Sequence, residues 1–224
     1  MEEILNASIL EYQVFGQTIY FKPVTLVMTL IVIAILIFFG FLSTKKIGVM
    51  PNPLQVIGEL IVTAFYDLTV DALGTKKAPK YFPLICTLFL FMLLSNWIGV
   101  IPKLSEPTQD LNTPLSLGIL GFVIAHYSGI RAKGIKVYLK GYMEPIFLLA
   151  PLNVIGELSK VISISFRLFG NILGGAIIIA VVTSLIKGLL LPPGLLCFFG
   201  LFVGTIQAFV FTMLTLVYIS VQVN

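Results

Sequence analysis

Charge is scarce in this chain. Lys, Arg, Asp and Glu make up 11% of its residues, against about 25% in a soluble globular protein. That excludes a water-solvated domain over most of its length. Histidine occurs once, as His126, and cysteine twice, as Cys86 and Cys197. The cysteines stand far apart within apolar stretches and read as small buried apolar residues, not as a disulfide or a metal pair. A hydrolase needs a nucleophile and a base within reach, and one histidine near a helix end is a poor basis for it. The net charge of +4 is small, and no basic patch of the nucleic-acid-binding kind is present. There is no nucleotide-binding glycine loop, so no nucleotide chemistry is expected on this chain. The first twenty residues carry Glu2, Glu3 and Glu11 and lack the basic start of a cleavable signal.

What fills the chain instead is apolar length. Hydrophobic residues reach 58% and the mean hydropathy is +1.06, so lipid is the main solvent. Residues 1–224 read as a single membrane domain. Five stretches can each span about 30 Å of hydrocarbon: 24–42, 82–101, 115–130, 146–186 and 189–222. The expected fold class is an all-α polytopic membrane protein with five membrane helices. The last two stretches are too long for upright helices and predict a long tilted hairpin over 146–222. Its turn is expected at Leu191-Pro192-Pro193-Gly194, where proline and glycine together stop helices.

Residues 54–73 differ. Leu54, Ile57, Ile61, Phe65, Leu68 and Ala72 recur at three- and four-residue steps, with Gln55, Glu59, Asp67 and Asp71 mainly off that stripe. This predicts an amphipathic helix lying in the membrane interface, begun by Pro51 and Pro53 and ended by Gly74. Basic residues set the orientation. Lys45 and Lys46 follow the first span, Lys76, Lys77 and Lys80 precede the second, and Arg131, Lys133, Lys136 and Lys140 follow the third. The N-terminus has its glutamates before Lys22, and the 102–114 loop has Glu106 and Asp110 against Lys103. The N-terminus is therefore expected outside and the C-terminus in the cytoplasm, with Lys187 the one basic residue near the outer hairpin turn.

Along 153–184, Asn153, Glu157, Lys160, Arg167 and Asn171 fall at steps of 4, 3, 7 and 4, which is one stripe on a helix, with Ser163 beside it. Glu157 and Lys160 read as an i,i+3 pair near the interface, and Asn153 as part of the helix start. Arg167 has apolar-dominated sequence on both sides. One central arginine facing lipid costs about 2.5–3.5 kcal/mol on insertion scales. Glu157, ten residues away on the same helix, is about 15 Å off, and every other acidic residue lies near a surface or loop. The counter-ion of Arg167 is therefore expected on another polypeptide. The last stretch holds Gln207 as its lone deep amide, and Tyr218 follows eleven residues later, close to the same face. Gly170/Gly174 and Gly200/Gly204 form two G-x-x-x-G pairs, which together with Arg167 and Gln207 predict two helices packed face to face along a polar seam.

Arg167-Leu168-Phe169-Gly170-Asn171 with Gly174-Gly175, and Gln207-Ala208-Phe209 running to Leu214-Thr215-Leu216-Val217-Tyr218, closely resemble subunit a of the rotary F-type ATP synthases. Ser95-Asn96-Trp97-Ile98-Gly99 with Ile101-Pro102, Pro107-Thr108 with Asp110-Leu111-Asn112, and Pro151-Leu152-Asn153 extend the resemblance in order from about residue 50. It implies a stator subunit of the Fo sector in a bacterial cell membrane, set against a ring of c subunits. Subunit b of the peripheral stalk would be a further partner, and the F1 sector an indirect one. Arg167 would face the ring's ion-binding carboxylates, and two aqueous half-channels would end on either side of it. Asn171, Gln207, Ser163, Thr205, Tyr218 and Glu157 are the candidate ion-pathway residues. No cofactor is expected on this chain, and the translocated ion is H+ or Na+.

Two positions depart from the family pattern. An acidic residue commonly follows the glycine pair after the arginine motif, where this chain has Ala176. A histidine or acid commonly stands seven positions before the glutamine, where this chain has Gly200. His126 reads as an interfacial residue and not as a substitute relay. Hydroxyls and amides remain, at Ser163, Ser165, Asn171, Thr183, Ser184, Thr205 and Gln207, and oxygen-rich lining suits a hydrated Na+ path as well as a proton wire. The alternative function is a self-contained ion-coupled secondary transporter. Such proteins usually show repeated halves around a midplane site, and no such repeat is found here.

Overall fold

The computed structural model describes residues 10–14, 17–45, 52–101, 104–143, 150–185 and 191–223. Glu2, Glu3, Lys46, Pro51, Pro102, Lys103 and Lys187 lie outside the described residues. The chain opens with two antiparallel strands, β1 (Leu10–Val14) and β2 (Gln17–Phe21), in register from Leu10 opposite Phe21 to Val14 opposite Gln17. Helices follow: α1 (Pro23–Thr44), α2 (Pro53–Leu73), α3 (Ala78–Trp97), α4 (Asn112–Lys133), α5 (Ile135–Met143), α6 (Ala150–Leu185), α7 (Leu191–Leu196) and α8 (Gly204–Val223). Short 3-10 turns at Ile98–Val100 and Pro107–Gln109 lie between α3 and α4, and a π-helical segment, Cys197–Val203, joins α7 to α8.

Five helical stretches are long and apolar enough to cross a membrane: Pro23–Thr44, Ala78–Val100, Asn112–Lys133, Ala150–Leu185 and Pro193–Val223. The protein is a multi-pass membrane protein, all-α in its spans, and the small β-hairpin and α5 add to what the sequence led one to expect. The second span begins at Ala78 and not at 82, because Pro79 fits the first turn of a helix, where no backbone N–H is needed. The same chemistry overturns the expected turn at Leu191-Pro192-Pro193-Gly194. These residues form the first turn of α7, a position where proline's missing N–H would have had no partner.

With lipid as solvent, burial gives little hydrophobic drive, and close packing of small residues and interhelical hydrogen bonds take over. α4 supplies the small residues. A Cβ on Gly118 would lie 2.7 Å from Ser165 Oγ on α6, one on Gly121 would lie 3.0 Å from Thr215 Cγ2 on α8, and one on Gly129 would lie 2.7 Å from Tyr138 on α5. α8 is the central strut. Leu216 and Ile219 join Phe65, Leu73, Tyr81, Ile85 and Ala125 in one apolar cluster, and Ala208 and Phe211 join Leu88, Met92, Ile164 and Leu168 in another.

Only the second half of α2 packs as its stripe predicts. Phe65 is buried, with Ile61, Leu68 and Ala72 against the same cluster, while Leu54 and Ile57 stay exposed. Ser220 donates to the Ala72 carbonyl at 2.6 Å, and Lys77 Nζ to the Val223 carbonyl at 3.1 Å. The end of α2 is thus tied to the end of α8. Gly74, at φ 78°, stops α2 with its N–H on the Val70 carbonyl, a backbone conformation that favours glycine.

Candidate functional site

The site is built on α6, whose 36 residues give about 54 Å of helix, nearly twice the hydrocarbon thickness. It must therefore run tilted or bent in a membrane. Val161, Ile164, Ser165 and Leu168 are its buried face around the centre, and Ser165 Oγ donates to the Pro114 carbonyl at 3.2 Å. Arg167 lies off that face and is exposed, as is Ser163. Among the described residues no hydrogen bond or ion pair holds the guanidinium, the ion pairs there being Lys22–Asp110 and Lys160–Glu157. Phe166 beside it is more than half exposed.

The two G-x-x-x-G pairs do not form the expected seam. Gly170 and Gly174 have nothing within 4 Å of a would-be Cβ, because they sit three and seven residues after Arg167, on its open side. Gly175 is the glycine that meets the last segment, with a Cβ there 3.0 Å from Phe199. A Cβ on Gly200 would overlap Val100, and one on Gly204 would lie 3.0 Å from the Asn96 Cβ, so this pair packs against the end of α3 and its 3-10 extension.

α6 and α8 do meet through the predicted amides. Asn171 Nδ2 donates to Gln207 Oε1 at 3.0 Å. Gln207 is 4% exposed, and its Nε2 has no partner among the described residues. Asn96, quoted in the sequence only as part of a motif, proves to be a junction. Its Nδ2 donates to the Gly204 carbonyl at 2.8 Å, and its Oδ1 accepts from Thr108 Oγ1 at 2.8 Å. Thr205 accepts from Trp97 Nε1 at 2.9 Å and donates to the Leu201 carbonyl. At the other end of α6, Lys160 Nζ is 2.6 Å from Glu157, the expected i,i+3 pair, and sits 5.5 Å over the Tyr218 ring.

Two cavities lie along α6 on either side of the Arg167 position. The loop-side cavity, about 300 Å3, is lined by Asn96, Glu106, Gln109, Asn171 and Gln207, together with Ala176 and Gly200. The second, about 480 Å3, lies beside α5 and is lined by Lys133, Asn153, Glu157, Lys160 and Gln222. Along α6 the second stops at Lys160 and the first begins at Asn171. Arg167 lines neither, and stands about 10 Å of helix rise beyond one and about 6 Å before the other. Ser163, Thr205 and Tyr218 also line neither cavity, nor does His126, which sits 3.0 Å from the Phe122 carbonyl. Cys86 is buried as expected, but Cys197, at the start of the π-helical segment, is exposed.

Glu106 is the residue that sequence patterning missed. It counts there only as loop charge, yet among the described residues it is the sole ionisable side chain lining the loop-side cavity. No periodicity marks it, because its placement depends on the loop folding back over Gly99.

The sequence matches the family model described as ATP synthase A chain over residues 26–220. It is 38% identical over 196 residues to ATP synthase subunit a of Moorella thermoacetica, covering 88% of each chain. It is 40% identical over 205 residues to ATP synthase subunit a 2 of Syntrophotalea carbinolica, covering 90% of this chain and 85% of that one. Similarity reaches organelles, at 36% identity over 223 residues to the chloroplastic subunit a of Stigeoclonium helveticum, covering 95% of this chain and 87% of that one. With a family match across almost all of its membrane helices, the chain belongs to the ATP synthase A chain family.

Proposed function

We propose that this chain is the stator subunit a of the Fo sector of a rotary ATP synthase. It provides two ion half-channels against a ring of c subunits and couples H+ or Na+ translocation to rotation and ATP synthesis. The observation that carries this reading is the pair of cavities that stop on either side of Arg167, which is exposed and engaged by no hydrogen bond or ion pair among the described residues. An arginine so placed needs a carboxylate from outside the chain, and the bare strip made by Gly170 and Gly174 lets a neighbouring helix come close. A rotor subunit with an ion-binding carboxylate supplies both.

The guanidinium keeps its proton, so it acts as a fixed charge and not as a relay. At about 4 Å and an effective dielectric of about 20, it attracts a carboxylate by about 4 kcal/mol before desolvation. That is enough to favour release of the bound cation and small enough to be reversed as the ring turns. The same charge repels cations from crossing directly between the cavities.

The loop-side cavity opens outward and the other toward the cytoplasm of a bacterial cell, with the N-terminus outside, the C-terminus inside, and α2 in the cytoplasmic interface. This follows from the basic residues before α3 and after α4. Subunit b of the peripheral stalk and membrane lipid are direct partners, the F1 sector an indirect one. Nucleotide chemistry resides on other subunits. The repeat-free order of helices gives no support to a self-contained secondary transporter.

Arg167→Ala tests the reading. In the purified complex reconstituted into liposomes it is expected to abolish ATP-driven ion pumping while the c ring still co-purifies. Pumping retained by an assembled Arg167→Ala complex would sink the assignment.

A further inference from the structure

A cavity that exchanges a cation needs a group able to hold one, and the loop-side cavity contains one candidate. Glu106 reaches into it from the segment before the Pro107–Gln109 turn, while Ala176 and Gly200 bring no ionisable group from α6 or the π-helical segment. Its side chain lies over the bare backbone of Gly99, where a Cβ would overlap both Cγ and Oε1 of the glutamate. The glycine is what makes room for the carboxyl.

Among the described residues no hydrogen bond or ion pair engages the Glu106 carboxyl; its backbone carbonyl accepts from Gln109 N at 3.1 Å. On the same segment Asp110 is taken up by Lys22 at 3.4 Å, and Lys103 lies outside the described residues. The walls contributed by α3, α6, α7, the π-helical segment and α8 present amides and apolar groups and no further charge. Burial without a partner raises the carboxyl from 4.5 to about 7, so near neutral pH it both takes up and releases a proton. Elsewhere on the cavity wall, Gln207 is 4% exposed and its Nε2 is unpartnered among the described residues. The space holds roughly ten waters at ~30 Å3 each, enough to connect the carboxyl with the Asn171–Gln207 pair.

We propose that Glu106 is the cation-loading group of this cavity, taking up the translocated monovalent cation and passing it through cavity water to the amides beside Arg167. The proposal rests on the reading of the chain as an ion path. One carboxylate among neutral oxygens balances one positive charge. Calcium takes six to eight oxygens, usually with several carboxylates, and transition metals favour imidazole or thiolate. Neither donor set is present here. With a proton, the carboxylate becomes the neutral acid and returns the proton to water, with no other bond made or broken. With Na+, the carboxylate and the amide oxygens coordinate the ion.

The test uses the complete complex in liposomes, with ATP synthesis driven by an imposed ion gradient and the loading-side pH varied across 7. Glu106→Gln is expected to slow synthesis about 100-fold, in the range typical of losing a proton-transfer group, and to remove the inflection near pH 7. Glu106→Asp is expected to restore part of both. If the cation is Na+, Glu106→Gln instead raises the KM for Na+ on that side only. Gly99→Ala, which pushes the same carboxyl out of place, is expected to reproduce the defect and stands in if Glu106→Gln does not assemble. An assembled Glu106→Gln complex with wild-type rate, pH profile and Na+ dependence would overturn the proposal. Arg167→Ala is run alongside. If it is inactive while Glu106→Gln is normal, only the role of Glu106 fails; if Arg167→Ala pumps, the underlying reading fails too.

Discussion

A guanidinium in a membrane is tolerated where protein, water or a partner charge replaces lipid, and Arg167 has its open side toward whatever docks on α6. The residues that hold its surroundings in place are neutral, and Asn96 is the most connected of them. Its amide ties the Thr108 hydroxyl to the Gly204 carbonyl, so the loop, α3 and α8 meet at one buried side chain. Asn96→Ala strands the buried Thr108 hydroxyl and removes the side-chain donor to Gly204, and an unsatisfied buried group costs about 1–3 kcal/mol. It is expected to lower the thermal midpoint of the purified complex, and Asn96→Asp, which keeps the acceptor for Thr108, to lower it less. An unchanged midpoint in Asn96→Ala would remove the junction from the account. Glu106 has an energetic signature of its own. Its pKa is raised in the fold, from 4.5 to about 7, so the folded state holds a proton that the unfolded chain releases between those values. The stabilisation is full below about pH 4.5 and is lost as pH rises through 7. Thermal midpoints measured from pH 5 to 8 are expected to fall more steeply in the wild type than in Glu106→Gln, whose side chain stays neutral.

At the scale of elements, glycine sets the distances between helices. Gly118 of α4 admits Ser165 and Val161 of α6, with Val161 Cγ1 at 3.2 Å from a would-be Cβ. Overpacking of such a contact costs typically about 1–3 kcal/mol. Gly118→Ala is therefore expected to destabilise the complex, and Ser165→Ala in the same chain to recover part of the loss, giving a coupling energy measurable in a double-mutant cycle. Strictly additive effects would mean that the two helices adjust independently. The elements themselves were largely legible in the sequence. Five spans and the polar stripe follow from length, period and the cost of polar groups in lipid, while Asn171 and Gln207 as polar neighbours come from the family resemblance. The misreadings have physical causes too. Pro192 and Pro193 fit a helix stop, yet proline is equally at home in a first turn, and sequence alone does not say which. Gly170 and Gly174 obey the spacing of a packing motif, but the face they share with Arg167 is the open one, and only the tertiary arrangement reveals that. The β-hairpin went unread although Leu10, Tyr12 and Val14 alternate with Glu11 and Gln13, a period of two too short to stand out beside 22-residue helices.

For the whole molecule, the proposed reading sets the fixed charge of Arg167 between two separate cavities, so that an ion would not cross this chain alone. On that proposal it would leave one cavity, ride on a rotor carboxylate and enter the other, and each cation crossing 100 mV would supply about 2.3 kcal/mol to rotation. That scheme is indifferent to which cation moves. Ala176 and Gly200 leave the loop-side cavity one ionisable group among the described residues, and Val100 packed against Gly200 leaves no room at that position for another. A proton can travel by water and Glu106; a sodium ion can travel by the same carboxylate and the amide oxygens, because neither path needs a histidine. ATP-driven radiosodium uptake by the purified complex in liposomes separates the two. A protonophore collapses any proton gradient, so uptake driven secondarily by protons stops when it is added. Primary Na+ pumping persists or speeds up, because the back-pressure of membrane potential is relieved by proton flow. Uptake that survives the protonophore and is lost in Arg167→Ala would make Na+ the coupling ion, carried through this chain. If radiosodium stays outside while ATP acidifies the lumen, the ion is the proton, and the inflection near pH 7 expected from Glu106 should then appear in the rate of acidification.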